Sequence, residues 1–455
     1  QQKAPAPALP KPAVAPAQQQ SGKLPPLTLQ QLQELARQND PRTAQARAQV
    51  AVAQGKRDEV YWASRIPAIN ATAAVAGPTP EAKLNRAPGH PTSLLDVTPG
   101  SRCWFCGELG VGFGINANVV VPVYTFGKIT AGRTALENVV AAMSALLQRS
   151  SDQATFDVTK AYWGYQTARG AATTIVDVRK RLADAKDRAR KLLAERSDQI
   201  SKSDSMKLDY LAEEIEARNA ESEKGATLAF TAIRLIIGKA PEDPLEIVEE
   251  KLPDPPPQPD EEQMLRRALD KRPETRAAAA QVGGRLAAVK LERAKLWPDL
   301  ALVAGGTYNY TTSADTPSTP FAYNPFQQQS IYVALALQGS LDFPQKFARI
   351  RQAEAELQDA LAQQRGAEQL VRLEVRQALG DLQEARVRAQ RYTNESTIGK
   401  QLAIQAGLAF DSGLGEAREL MEDMLLWARA DGERFKALFD AQIASASLQK
   451  ATGGL

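Results

Sequence analysis

Residues 111–121 read VGFGINANVVV, in which Val111, Phe113, Ile115, Ala117, Val119 and Val121 alternate with Gly112, Gly114, Asn116 and Asn118. A period of two sends successive side chains to opposite faces of an extended chain, so this stretch predicts a strand with one apolar face and one small or polar face. Three other stretches share the design. Ile69, Ala71, Ala73 and Val75 alternate with Asn70 and Thr72; Leu300, Leu302, Ala304, Tyr308 and Tyr310 oppose Thr307 and Asn309; Ile331, Val333, Leu335 and Leu337 oppose Tyr332, Gln338 and Ser340. Each runs for about ten residues, the length and pattern of a tilted membrane strand.

Outward from these strands, Ile66-Pro67 and Trp297-Pro298 end helical patterns, because proline lacks a backbone donor and disfavours helix at the residue before it. Aromatic residues gather at the strand ends: Tyr61, Trp62, Tyr124, Phe126, Trp297 and Phe343 on the helix side, and Trp104, Phe105, Phe321, Tyr323 and Phe326 toward the loops. Such clusters fit two interfacial belts and equally fit aromatic caps on a soluble sandwich. From about 126 to 196 there is no proline, and Leu136, Val139, Val140, Met143, Leu146, Leu147, Val158, Ala161, Tyr162 and Tyr165 recur at helical steps. Roughly 70 helical residues make a rod of about 100 Å. A second rod is predicted over about 347–410.

The chain is internally duplicated. PRTAQARAQV from Pro41 aligns with PETRAAAAQV from Pro273, and DVTKAYWGYQTAR from Asp157 with EVRQALGDLQEAR from Glu374. The resulting organisation is a Pro/Ala/Gln-rich tether over 1–26, a first repeat over 27–238, a Pro-rich acidic linker over 239–260 and a second repeat over 261–455. The first repeat holds strands at about 68–77 and 109–123, a long helix at about 126–196 and a hairpin tip at about 197–206. The second holds strands at about 299–311 and 330–341, a long helix at about 347–410 and a tip at about 410–418.

Bulk properties narrow the function. The 56 basic and 53 acidic residues leave a net charge of +3, without the basic stripe that nucleic-acid phosphates require. No apolar run approaches the roughly 18 residues of a membrane-spanning helix, so a membrane passage would be made by strands. From a first residue of Gln rather than Met, removal of an export signal is expected, and from a first residue other than Cys, the absence of an N-terminal lipoprotein anchor is expected. Cys103-Trp104-Phe105-Cys106 has dithiol spacing but lies in a Gly/Pro/Ser-rich loop between two antiparallel strand candidates, where a local disulfide is expected; a free or metal-bound pair is the alternative. His90 is the one histidine, so neither a histidine-rich zinc site nor a nucleophile triad can be assembled. No catalytic constellation and no cofactor is indicated.

Four strands per chain leave two bare edges, which hydrocarbon does not tolerate, so other copies must close the barrel; pattern alone fits two copies or three. The duplicated helix, strand, strand, long helix, turn, helix unit resembles the TolC family of outer-membrane efflux proteins. Pro122-Val123-Tyr124-Thr125-Phe126-Gly127-Lys128 matches that family's turn from strand into long helix, whereas Leu341-Asp342-Phe343-Pro344-Gln345-Lys346 lacks the glycine. The resemblance implies a mainly α chain with transmembrane β, a homotrimer with a twelve-stranded barrel in the outer membrane continued by a periplasmic α-helical barrel, and partnership with a periplasmic adaptor and an inner-membrane transporter. It implies the exit duct of a tripartite efflux or type I secretion system, with a helical iris at the periplasmic end.

Phe410-Asp411-Ser412-Gly413-Leu414-Gly415 is similar to the family's tip turn, which puts adaptor contact at Ser412, Gly413, Leu414 and Gly415, with Ser203 on the first tip. The implied aperture carboxylates are Glu419 and Glu422, three apart on one helical face, with Asp209 where relatives carry an acidic gate residue. A solvated helix face is the plain alternative for these acids. The place of the family's basic gate partner falls on Gly415. A soluble coiled-coil scaffold is the rival reading of the whole chain, and a thiol oxidoreductase a distant third.

Overall fold

The computed structural model describes residues 26–79, 109–195, 200–240, 242–314 and 327–454. Each half is built in one order. The first is α1 (Leu29–Asn39), α2 (Pro41–Ala63), β1 (Ala68–Thr79), β2 (Gly110–Tyr124), α3 (Lys128–Ala194) and α4 (Lys202–Ile236); the second is α5 (Glu261–Lys271), α6 (Pro273–Ala294), β3 (Asp299–Thr311), β4 (Gln328–Gln338), α7 (Phe343–Asp411) and α8 (Ala417–Ala451). The duplication is metric as well as sequential, since α3 and α7 have 67 and 69 residues and α4 and α8 have 35 each.

Local chemistry sets the boundaries. Asp40 caps α2 by accepting from the Arg42 backbone N–H at 2.7 Å, with Pro41 at the first helical position where its missing donor costs nothing. In the second half Arg272 stands in the capping position without a side-chain cap and instead ion-pairs with Glu274 and Glu374. α4 begins on a reciprocal capping box: Ser201 Oγ accepts from the Asp204 N–H at 3.1 Å, and the Asp204 carboxylate accepts from the Ser201 N–H at 3.2 Å. Helix thus starts at Lys202, so Ser203 and Met206, read from sequence as part of a tip over 197–206, lie inside α4.

Two compact units emerge. One comprises residues 26–36, 157–254 and 392–439 among those described, and its core runs along four helices. Val178, Leu182, Ala185, Ala189 and Leu192 of α3, Leu208, Leu211 and Ile215 of α4, Ala403, Ala406 and Phe410 of α7, and Leu420, Met424 and Trp427 of α8 form one buried cluster. Their steps of three and four are those of helices whose side chains interlock. Of the stretch 239–260, read as a linker, the described residues up to 254 belong to this unit and are pinned in it. Leu245 and Ile247 are buried, Leu27 pairs with Ile247 in a parallel bridge, and the Gln166 amide accepts from the Glu250 N–H at 3.1 Å while donating to the Val248 carbonyl at 2.6 Å.

The other unit comprises residues 37–156, 255–391 and 440–454 among those described, and it carries the sheet. Strand order is β1-β2-β3-β4, antiparallel throughout. Val375 of α7 is fully buried here, as is its repeat-mate Val158 of α3 in the first unit. Val139 and Leu146, which the sequence places on the apolar stripe of α3, remain more than a third exposed.

Candidate channel wall and helical tips

The register makes the sheet two-faced. One face carries the rows Ile69, Val119, Ala304, Val333 and Ala71, Ala117, Gly306, Ile331, followed by Val121, Leu302, Leu335. The other carries Asn70, Asn118, Gly305, Tyr332, then Thr72, Asn116, Thr307, Ser330, then Ala74, Gly114, Asn309, Gln328. An ordinary half-buried sheet hides its apolar face. Here that face is bare: Ile331 is 91% exposed, Val75 74%, Leu337 69% and Val333 68%. On the polar face a Cβ on Gly305 would lie 2.6 Å from the Tyr332 ring, so glycine is what lets that ring lie across the strand. The outer edges of β1 and β4 pair with no strand among the described residues.

Aromatic side chains cluster where strands meet helices. Phe126 stacks on Trp297 at 5.5 Å between centroids, Tyr124 meets Phe126 edge-on at 4.7 Å, and Tyr61 meets Trp62 edge-on at 5.3 Å. Trp62, Tyr124 and Trp297 stay more than half exposed, so they cap no sandwich core in this chain. Cys103, Cys106, His90 and the loop-side aromatics Trp104, Phe105, Phe321, Tyr323 and Phe326 lie outside the described residues.

The two strand-to-helix turns differ. In the first, Phe126 and Gly127 both take positive φ, 50° and 87°, and the Lys128 ammonium ties the turn to the start of β3 through Asp299 at 2.8 Å. In the second, which lacks glycine, the chain enters α7 at Phe343 without a left-handed residue. The buried Lys346 closes that turn by donating to the Ser340 carbonyl at 2.6 Å.

At the second tip each residue of the quoted motif has a separate task. Phe410 is 2% exposed and belongs to the core. Gly413 takes φ 77°, ending the helix in the left-handed region with the Leu414 N–H donating to the Ala409 carbonyl at 2.9 Å. The Ser412 hydroxyl bonds back to the Leu408 carbonyl at 2.9 Å. A Cβ on Gly415 would come within 2.8 Å of Ala409 Cβ and 3.0 Å of backbone, so no basic side chain fits there. Leu414 is left 89% exposed, an apolar side chain at the point of a turn.

The candidate aperture acids are not equivalent. Glu419 and Glu422 are both exposed on α8, but the Arg418 guanidinium holds Glu422 at 2.9 Å, while Glu419 has no ion pair among the described residues. Asp209 is bonded across its own hairpin to Lys186 of α3 at 2.6 Å, and that hydrogen bond and charge hold its carboxyl below the usual range.

One buried polar knot has little signal in the sequence. Asp431 of α8, 3% exposed, accepts from Thr174 of α3, from the Ser396 hydroxyl of α7 at 2.7 Å and from Arg434 Nε at 2.7 Å. Burial alone would raise its pKa, but these donors outweigh burial and hold it below the ordinary carboxylate value. The Asp431/Arg434 spacing is the only local signal, since Thr174 lies 257 residues away.

Residues 264–454 match the family model described as outer membrane efflux protein. No curated protein sequence matches the chain. Among solved structures, the fold is similar to the outer-membrane channel OprN, with a TM-score of 0.74 at 18% identity, covering 94% of this chain and 90% of that one. It is similar to the outer membrane protein VceC of Vibrio cholerae, TM-score 0.71 at 16% identity over 94% and 96% of the two chains. It is also similar to the open state of the MtrE outer membrane channel of Neisseria gonorrhoeae, TM-score 0.72 at 17% identity over 94% and 89%. The efflux-protein match thus covers the second half of the chain, the same order of elements is repeated in the first half, and the fold along the whole length is similar to that of these outer-membrane channels.

Proposed function

We propose that three copies of this chain close twelve strands into one outer-membrane barrel that serves as the exit duct of a tripartite efflux or type I secretion system. The observation that carries the reading is the sheet. Its apolar face is uncovered, its opposite face carries Asn, Thr, Ser and Gln among small residues, and its β1 and β4 edges are unpaired among the described residues. Unpaired backbone groups cost several kcal/mol apiece in hydrocarbon, so β1 of one copy pairing with β4 of the next satisfies both edges, and closure puts lipid outside and water inside. Three copies fit the trimer that the resemblance to the TolC family implies, and twelve strands leave a water-filled lumen rather than one plugged by side chains.

In this reading the duct is a passive conduit and not an enzyme. Glu419 is the carboxylate more available to an aperture ring, because Glu422 is paired with Arg418. Exposed Leu414, presented by the glycine turn with Ser412, is the anchor for a periplasmic adaptor, and Ser203 offers a polar contact on the neighbouring hairpin. The test is extraction from outer membranes followed by sizing and planar-bilayer recording. The expected result is a detergent-dependent trimer with a conductance whose cation preference weakens in Glu419→Ala more than in Glu422→Ala. A monomer that fractionates without detergent contradicts the duct; unchanged selectivity in both variants removes these acids from the aperture.

A further inference from the structure

The helix side of the sheet is proportionately more basic than the chain as a whole. Across 56–66, 122–137, 290–299 and 339–351, the segments flanking the strands, there are eleven basic against six acidic residues, whereas the whole chain has 56 against 53. Six of these eleven bases are ion-paired. Lys128 pairs with Asp299, Lys295 with Glu292 and Arg293 with Glu354. One corner is different. The Arg65 guanidinium lies over the Tyr61 ring at 3.9 Å and the Arg133 guanidinium approaches the same ring at 5.6 Å. Two like charges therefore share one phenol. Glu137 takes Nε of Arg133 at 2.8 Å, but Arg65 is exposed and has no ion pair among the described residues.

What surrounds this pair is apolar and equally bare: Trp62 is 55% and Ile66 56% exposed, within one turn of Arg65. A planar guanidinium donates two parallel hydrogen bonds to a phosphate oxygen pair, and two guanidiniums beside one ring form a fork for a single anion. With Trp and Ile alongside, the complementary ligand is an anion that carries hydrocarbon. Resting on the outer-membrane reading above, we propose that Arg65, Arg133 and Tyr61 hold the phosphate of an anionic phospholipid in the leaflet nearer the helices, with Trp62 and Ile66 against its acyl chains.

Native mass spectrometry of the detergent-solubilised assembly titrated with phosphatidylglycerol or phosphatidylcholine tests this. Phosphatidylglycerol is expected to be retained over phosphatidylcholine. Arg65→Gln is expected to weaken that retention about fivefold, and Arg65→Gln/Arg133→Gln further, since each basic residue near an anionic surface contributes about that factor. Arg65→Lys/Arg133→Lys, which keeps the charge and loses the fork, should fall between. Equal retention of both lipids by the unaltered protein, or undiminished phosphatidylglycerol binding in the double Gln variant, overturns the proposal while leaving the duct intact. Displacement of phosphatidylglycerol by millimolar inorganic phosphate would mark a simple anion site and also overturns it. A chain that fails to enter bilayers at all overturns both readings.

Discussion

The sheet and the four-helix core near the tips use the same apolar residues in opposite ways. In the core, Leu182, Leu208, Phe410 and Leu420 are each no more than 2% exposed. In the sheet, Val75, Ile331, Val333 and Leu337 are each more than two-thirds exposed, although their alternation is as strict as any half-buried strand's. One region has found its nonpolar surroundings within the chain and the other has not. On the proposed reading the sheet's partner is a different solvent, and each substitution below tests which solvent a side chain meets.

The largest effect is expected in the core. Phe410→Ala removes a ring packed among helices α3, α4, α7 and α8 and should cost about 3–5 kcal/mol, read as a lowered denaturation midpoint in detergent. In the sheet, Val333→Arg places a charge near the middle of β4 on the apolar face and should cost about 2–4 kcal/mol in a bilayer, read as lost outer-membrane assembly. Thr307→Arg on the opposite face should assemble. If both arginines are tolerated, the two faces meet the same solvent and the contrast fails.

The next comparison sets two buried aspartates against each other. Burial pushes Asp152 up to about 6, with Glu274 adding to the rise and Arg37 and Lys450 opposing it. A carboxyl that binds its proton more tightly when folded loses stability as pH rises from the unfolded value of about 3.9 to about 6. Asp431, held below its ordinary value, contributes stability that is present above the unfolded pKa and is lost as pH falls through the folded one. Stability measured between pH 3 and 7 should therefore lose its decline toward neutral pH in Asp152→Asn, and lose part of its acid sensitivity in Asp431→Asn. The smallest effects belong to the tips: Gly413→Ala forces a side chain into φ 77°, and Ser201→Ala removes a cap, each about 1 kcal/mol.

Much of the fold is legible in the amino-acid sequence. Strand faces follow from a period of two, which needs no knowledge of distant residues, and the long rods follow from absent prolines and steps of three and four. Gly413 is readable because a left-handed helix end selects glycine. What stays hidden depends on distance along the chain. The Asp431 knot joins residues 257 and 35 positions away, and Gln166 fixes the Pro-rich stretch through the Val248 carbonyl 82 positions off. The second strand-to-helix turn is unreadable for another reason: the buried Lys346 does by side-chain hydrogen bond what glycine does by backbone freedom. Nor does the spacing of Glu419 and Glu422 reveal which acid Arg418 has already taken.

The most direct measurement attaches one fluorophore at a time to a cysteine in place of Val333 or Thr307, in a background with Cys103 and Cys106 replaced by serine, reconstituted in bilayers. Quenching at 333 by a lipid-borne quencher and not by aqueous iodide is expected, and the reverse at 307. Iodide quenching both positions equally, with no effect of the lipid-borne quencher at 333, would contradict it.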